Sequence, residues 1–370
     1  VKVPDDAQCG FIAVPVDYSK LQGDVARLAM IRFPATKDKI GSLVINPGGP
    51  GESGIETAVG LVSTLPRKVR ERFDLVGFDP RGVASSRPAV WCNSDKENDR
   101  LRALNQVDYS PEGVERIENE TKEYVERCLE KSGKEFLANI GTVNVARDLD
   151  AIREALGDDK LTYVGWSYGT SIGQVYADTY PTHIRAMVLD GVVRLGQPGI
   201  EAARDQGIAF DKVFEEFLAR CPSFADCPAD PAGAYRKIRD ELRSAPMATD
   251  DPTRKLTSGA FQLGVGQALY VTSFWPTLAR GLSDALKGDG TTMQALADQY
   301  LGREADGSYG NQTDVYFAVS CLDWDWPSKP RAFIDAGRAV AKTSPNLAEG
   351  IITDYIRCAY WPTPPRPRSP

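Results

Sequence analysis

Histidine occurs once in 370 residues, at His183. A hydrolytic site built on a histidine base therefore has one candidate, and a cluster of histidine metal ligands is excluded. Runs of Lys and Arg are also missing. With a net charge of −7, the chain has no basic surface for nucleic acid. No nucleotide fingerprint appears, and no metal or cofactor is expected. The longest charge-free stretch, Leu256 to Ala279, contains three glycines, Gln262, Gln267 and Pro276. It is too polar for a transmembrane span and reads as one or two buried helices lining a cleft. The chain starts at Val1 with neither an initiator Met nor the apolar core of a signal peptide, so processing at this end is expected.

What is present suffices for a large core: 42% of residues are apolar and 26% charged. That length predicts one large core with an insertion, or two domains. Seven cysteines are plentiful enough to suggest disulfides. Cys221 and Cys227 frame a short loop containing proline, while Cys92 with Cys128 and Cys321 with Cys358 are plausible further pairs. Cys9 is left over, its partner expected outside this chain. Buried free thiols are the alternative. Three bridges imply an oxidising compartment and export, to the medium or the cell envelope.

Alternating and β-branched patterns predict strands at 10–17, 25–34, 42–46, 73–79, 161–164 and 184–189. Between them, Val114, Ile117, Thr121, Tyr124 and Cys128 share one helical face, as do Val145, Leu149, Ile152 and Leu156, with Gly157 as the stop. Strands alternating with helices predict a mostly parallel sheet covered on both faces. After Arg194 only helical patterns follow, including Phe210, Phe214, Phe217 and Cys221 on one face. The division expected is a core over 1–194, a helical cap over 195–358 and a proline-rich linker over 359–370.

Two motifs carry chemistry. Gly165-Trp166-Ser167-Tyr168-Gly169 follows a buried strand and opens a helix. This context lets a tight turn expose Ser167 as a nucleophile; otherwise the string is an ordinary helix-capping turn. Asn46-Pro47-Gly48-Gly49-Pro50-Gly51 follows another buried strand. Its glycines free backbone N–H groups, and the N–H groups of Gly49 and Tyr168 are the expected oxyanion hole. No Lys-Ser/Thr pair follows, which excludes a phosphate loop.

Together with Gly77-Phe78-Asp79-Pro80-Arg81-Gly82 and Val188-Leu189-Asp190-Gly191, these motifs resemble the secreted tripeptidyl-aminopeptidase and proline-iminopeptidase-like branch of the α/β-hydrolases, mycobacterial cell-envelope serine proteases among them. The resemblance spans Cys9 to about Pro362. It implies the α/β-hydrolase fold, a helical cap, disulfides, export and a Ser-Asp-His triad. It also likens Cys321-Leu322-Asp323 to a cap motif, making Asp323 a candidate ligand for a peptide's free amine; a surface or capping carboxylate is the competing reading.

The family places its acid and histidine on two strands after the cap, which this chain does not contain. His183 lies beyond a helix of about twelve residues, roughly 18 Å from Ser167, and is expected in a surface turn. Asp190 ends a strand on the correct side but is expected to be structural. The chain alone should be nearly inert, with a separate C-terminal fragment as partner. A serine peptidase acting on peptide or protein substrates through an acyl-enzyme on Ser167 is the leading expectation. An esterase, lipase or thioesterase on the same scaffold is the second. A binding protein that lost its triad is the third.

Overall fold

The computed structural model describes residue 3, residues 5–102, residue 108 and residues 110–363; most of the proline-rich segment thus lies outside the described residues. Six strands form one sheet: β1 (Gln8–Pro15), β2 (Val25–Phe33), β3 (Gly41–Asn46), β4 (Phe73–Phe78), β5 (Leu161–Trp166) and β6 (Ile184–Asp190). Their spatial order is β1-β2-β4-β3-β5-β6. The first two strands join antiparallel, and the remaining four run parallel. All six predicted strands are present, with ends shifted by up to two residues.

Strand alternation divides the core. Leu43 and Ile45 face a cluster with Ile31, Phe33, Leu75 and Ala58, the last from the helix Gly54–Leu61. Val44 faces the other way, into a larger cluster with Val76, Phe78, Tyr163 and the helices Thr142–Ala155 and Tyr168–Thr179. β3 is buried along its whole length, as a central parallel strand should be.

A second core is formed by helices alone. Phe214, Phe217, Tyr235, Phe261, Val265, Trp275 and Leu282 pack together there. The 256–279 stretch becomes two helices, Ser258–Leu269 and Trp275–Ala285. Among the described residues no helix is long and apolar enough to cross a membrane. The helices after Gln312 pack differently: Val315, Phe317, Leu322, Phe333 and Ile352 join the main core, so they brace the cap against the sheet. Disulfides link Cys92 to Cys128, Cys221 to Cys227 and Cys321 to Cys358, and Cys9 is free and exposed.

Candidate active site

The sheet sets the position of the site. Asn46 pairs with Gly165, and Trp166 with Asp190, so β3, β5 and β6 end side by side. The chain passes from β4 on one side of β3 to β5 on the other. Open parallel sheets bind their ligands at the carboxyl ends around such a switch point.

Ser167 stands at this edge, exposed, with φ 50° and ψ −121°. A non-glycine residue there is strained, and the surroundings hold the strain in place. The Ser167 N–H donates to the Asp190 carbonyl at 3.0 Å, and its own carbonyl accepts from the Thr170 hydroxyl at 2.6 Å. That hydroxyl also accepts from the Val193 N–H at 2.9 Å, joining the elbow to the loop after β6.

The flanking glycines have steric reasons. A Cβ on Gly165 would lie 2.4 Å from the Gly169 carbonyl oxygen, and one on Gly169 would lie 2.5 Å from the Asn46 carbonyl oxygen. The turn that carries Ser167 and the end of β3 thus pack backbone to backbone.

The glycine-rich loop lies directly on the elbow. Gly48 has φ +112°, and a Cβ there would sit 2.7 Å from the Trp166 carbonyl and 3.0 Å from the Tyr168 nitrogen. The Gly48 N–H is spent on the Asn46 side chain at 3.1 Å. Gly49, with φ +95°, comes next in line. Tyr168 opens the helix Tyr168–Thr179, whose N-terminal field favours negative charge beside Ser167. A cap helix closes over the loop, since a Cβ on Gly51 would lie 2.6 Å from the Gln312 carbonyl.

The motif around Asp79 and Arg81 braces this edge rather than joining the chemistry. Asp79 accepts from the Ser53 hydroxyl at 2.6 Å and the Ser85 N–H at 3.0 Å, while burial raises its carboxyl above the usual range. Arg81 and Asp148, both with fully buried side chains, form a two-pronged pair at 2.7 and 2.6 Å. The remaining Arg81 donors reach the carbonyls of Pro15, Val16 and Asn139.

Three candidates fall as follows. Asp190 serves Ser167 through its main chain, and its residue is exposed. His183 sits at the start of β6, the end opposite Ser167. Its Nδ1 is 2.8 Å from Asp150, and its ring stacks on Tyr180. Asp323 is buried at 7% exposure and accepts from the Thr142 N–H at 3.1 Å and from the Thr142 hydroxyl. It accepts at the first turn of the helix Thr142–Ala155 and so caps that helix. The same Thr142 hydroxyl lies 2.6 Å from the Tyr168 hydroxyl, tying that cap to the elbow helix.

Sequence reasoning missed Glu52. Its carboxyl lies on the glycine-rich loop, has no hydrogen-bond or ion-pair partner among the described residues, and is pushed up by burial. Its place three residues after Gly49 was the available signal.

A serine on a strained strand-to-helix turn, covered by a glycine loop at the carboxyl end of a parallel sheet, defines a serine hydrolase. The chain belongs to the α/β-hydrolase family: the family's profile, alpha/beta hydrolase fold, matches residues 41–279. Over 380 residues it is 53% identical to serine protease Hip1 of Mycobacterium tuberculosis, covering 99% of this chain and 73% of that protein. It is 39% identical to carboxylesterase B of the same species, covering 98% and 72%. To the tripeptidyl aminopeptidase of Streptomyces coelicolor it is 33% identical, covering 97% and 68%.

Proposed function

We propose that the chain carries the nucleophile of a serine peptidase, with Ser167 attacking the peptide carbonyl and the N–H groups of Gly49 and Tyr168 holding the oxyanion. The observation that best supports this reading is the packing of Gly48, the neighbour of Gly49, onto Trp166, Ser167 and Tyr168. The names of the Hip1 and tripeptidyl-aminopeptidase relatives support peptide bonds as substrate.

Attack on a carbonyl needs a base, and the only histidine is held by Asp150 at the far end of the sheet. We assign the base and its orienting acid to further strands that add to the edge of β6. Among the described residues that edge is unpaired, and Val188 and Val192 lie beside it 57% and 61% exposed. An unpaired parallel strand with exposed valines is a surface made to be covered. Three disulfides support export to an oxidising compartment, the medium or the cell envelope.

The assembled enzyme should label with a fluorophosphonate and lose labelling in Ser167→Ala; equal labelling of the variant refutes the assignment. The carboxylesterase relative favours a second reading, an esterase. Matched peptide anilides and aryl esters separate the two, because hydrolysis of the esters alone would select the esterase.

A further inference from the structure

The helix Ser258–Leu269 turns one face to a cavity of about 160 Å³. Ser258, Gln262, Gly266 and Tyr270 line it at four-residue steps, so the cavity follows this helix for roughly 18 Å. The two ends differ in chemistry.

One end lies toward the glycine-rich loop that precedes Glu52. Tyr270 and Tyr300 stack there with ring centres 6.2 Å apart, both within electrostatic reach of Glu52. Tyr316 also lines this end, and its neighbour Val315 has its Cβ 3.1 Å from where a Gly51 Cβ would be. Asp354 lines the cavity as well, but its charge is offset by the Arg357 guanidinium at 2.6 Å.

The other end is cationic. The pairing of Met247 with Leu256 brings the end of the helix Pro231–Ser244, which bears Arg243 in its last turn and Arg239 one turn earlier, back to the first turn of Ser258–Leu269. The Gln262 amide donates to the Tyr235 hydroxyl, and the Arg239 guanidinium lies 5.8 Å from the same ring. Arg102 is the third arginine lining the cavity: the Thr257 hydroxyl donates to its carbonyl at 2.9 Å, while its charge also reaches Tyr300. Against these three stand exposed Asp240, 3.2 Å from Arg239 and 3.8 Å from Arg243, and Asp211, whose charge reaches the same Tyr235 ring but is held by the Asn346 and Leu347 N–H groups. The balance at this end is positive.

We propose that the cavity holds the acyl side of the substrate and that its arginine end selects a carboxylate there, from an acidic side chain or from an N-terminal dicarboxylic acyl cap. This rests on the peptidase reading and narrows it. An extended peptide covers 18 Å in about five residues, so the carboxylate lies four or five residues upstream of the cut. A free N-terminal ammonium in the same place meets net positive charge. The enzyme therefore favours internal or blocked segments over trimming of free N-termini.

The test uses the assembled enzyme and one apolar peptide anilide carrying a succinyl cap, an acetyl cap, an acetyl-Glu extension or a free amine. Expected is a kcat/KM for the succinyl and acetyl-Glu peptides roughly fivefold above the acetyl peptide, with the free amine lowest. A higher value for only one of the two acidic peptides identifies the source of the carboxylate. The double variant Arg239→Glu/Arg243→Glu should invert the ranking. A free amine cleaved as well as the acetyl peptide, or a ranking unmoved by charge reversal, overturns the proposal. Should that variant not fold, raising salt on the unmodified enzyme must shrink the succinyl advantage, and a salt-independent advantage overturns it too. A parallel ester series keeps the two readings apart. Esters ranked by charge while anilides stay intact would sink the peptidase reading alone; anilides cleaved without ranking would sink this one alone.

Discussion

At the scale of single residues, the site is a set of steric permissions. Gly48, Gly165 and Gly169 are glycine because a Cβ at each would approach backbone of the facing segment to between 2.4 and 2.7 Å. Gly48→Ala should therefore lower kcat about a hundredfold or more while the helices after Gly199 keep their circular dichroism; activity within a factor of three would contradict this view. Glu52 makes a prediction of the opposite sign. Burial raises its carboxyl, so the folded protein holds a proton that the unfolded chain releases, and stability falls as pH rises through that range. Glu52→Gln should raise Tm at pH 7 and leave it unchanged at pH 4. A lower Tm at neutral pH would show that the charge has a partner.

At the scale of elements, a few polar ties lock helices to strands. Arg81 links β1, the loop after β4 and the helix Thr142–Ala155 through Asp148. Removing either partner leaves a buried charge, so Asp148→Asn should cost about 3–5 kcal/mol in denaturant unfolding; a loss below 1 kcal/mol would refute the role. The second tie is Asp150, shared by Arg153, Tyr176 and His183. Burial alone would raise this carboxyl, but the hydrogen bonds from those partners outweigh it and bring it to about 2. A carboxyl lowered by folding stabilises above its unfolded value near 4, and that contribution disappears as pH falls from 4 to 2. Asp150→Asn should flatten the acid limb of a Tm-versus-pH curve in this window, and an unchanged limb would exclude Asp150 as its source.

At the scale of the whole molecule, a sheet-based core and an all-helical one share a single chain, and the helices after Gln312 belong to the first. Cys321–Cys358 closes a loop across helices of the main core, its ends 37 positions apart in sequence against 6 for Cys221–Cys227. The longer loop restricts the unfolded chain more, by roughly 3–4 kcal/mol against about 2. Replacing both cysteines of the longer loop by Ser should lower the unfolding midpoint more than the same change in the shorter one; the reverse order would mean that local geometry, not loop length, sets the effect. The open edge of β6 belongs to this scale as well, because only the assembled sheet reveals which strand is left without a neighbour.

Much of this was legible along the chain. Period-two and period-3.6 patterns located the strands and the helices, since burial acts on every residue of an element and repeats at a fixed spacing. Ser167 and the glycine loop were legible because a turn that forbids side chains must write glycine at fixed positions. Cys128 on the inner face of its helix was legible for the same periodic reason. Asp323, Glu52 and the arginine end of the cavity were not. A carboxylate binds an incoming amine, caps a helix or stays unpartnered according to what faces it, and Thr142 lies 181 residues from Asp323. Tyr270, Tyr300, Arg239 and Arg102 come from four helices whose approach no local pattern encodes. The sequence by itself determined the elements, the serine turn and the family, because these follow from short-range spacing. Which groups face Ser167, and with what charge, was decided only by tertiary packing, because that energy depends on distances between residues remote in the chain.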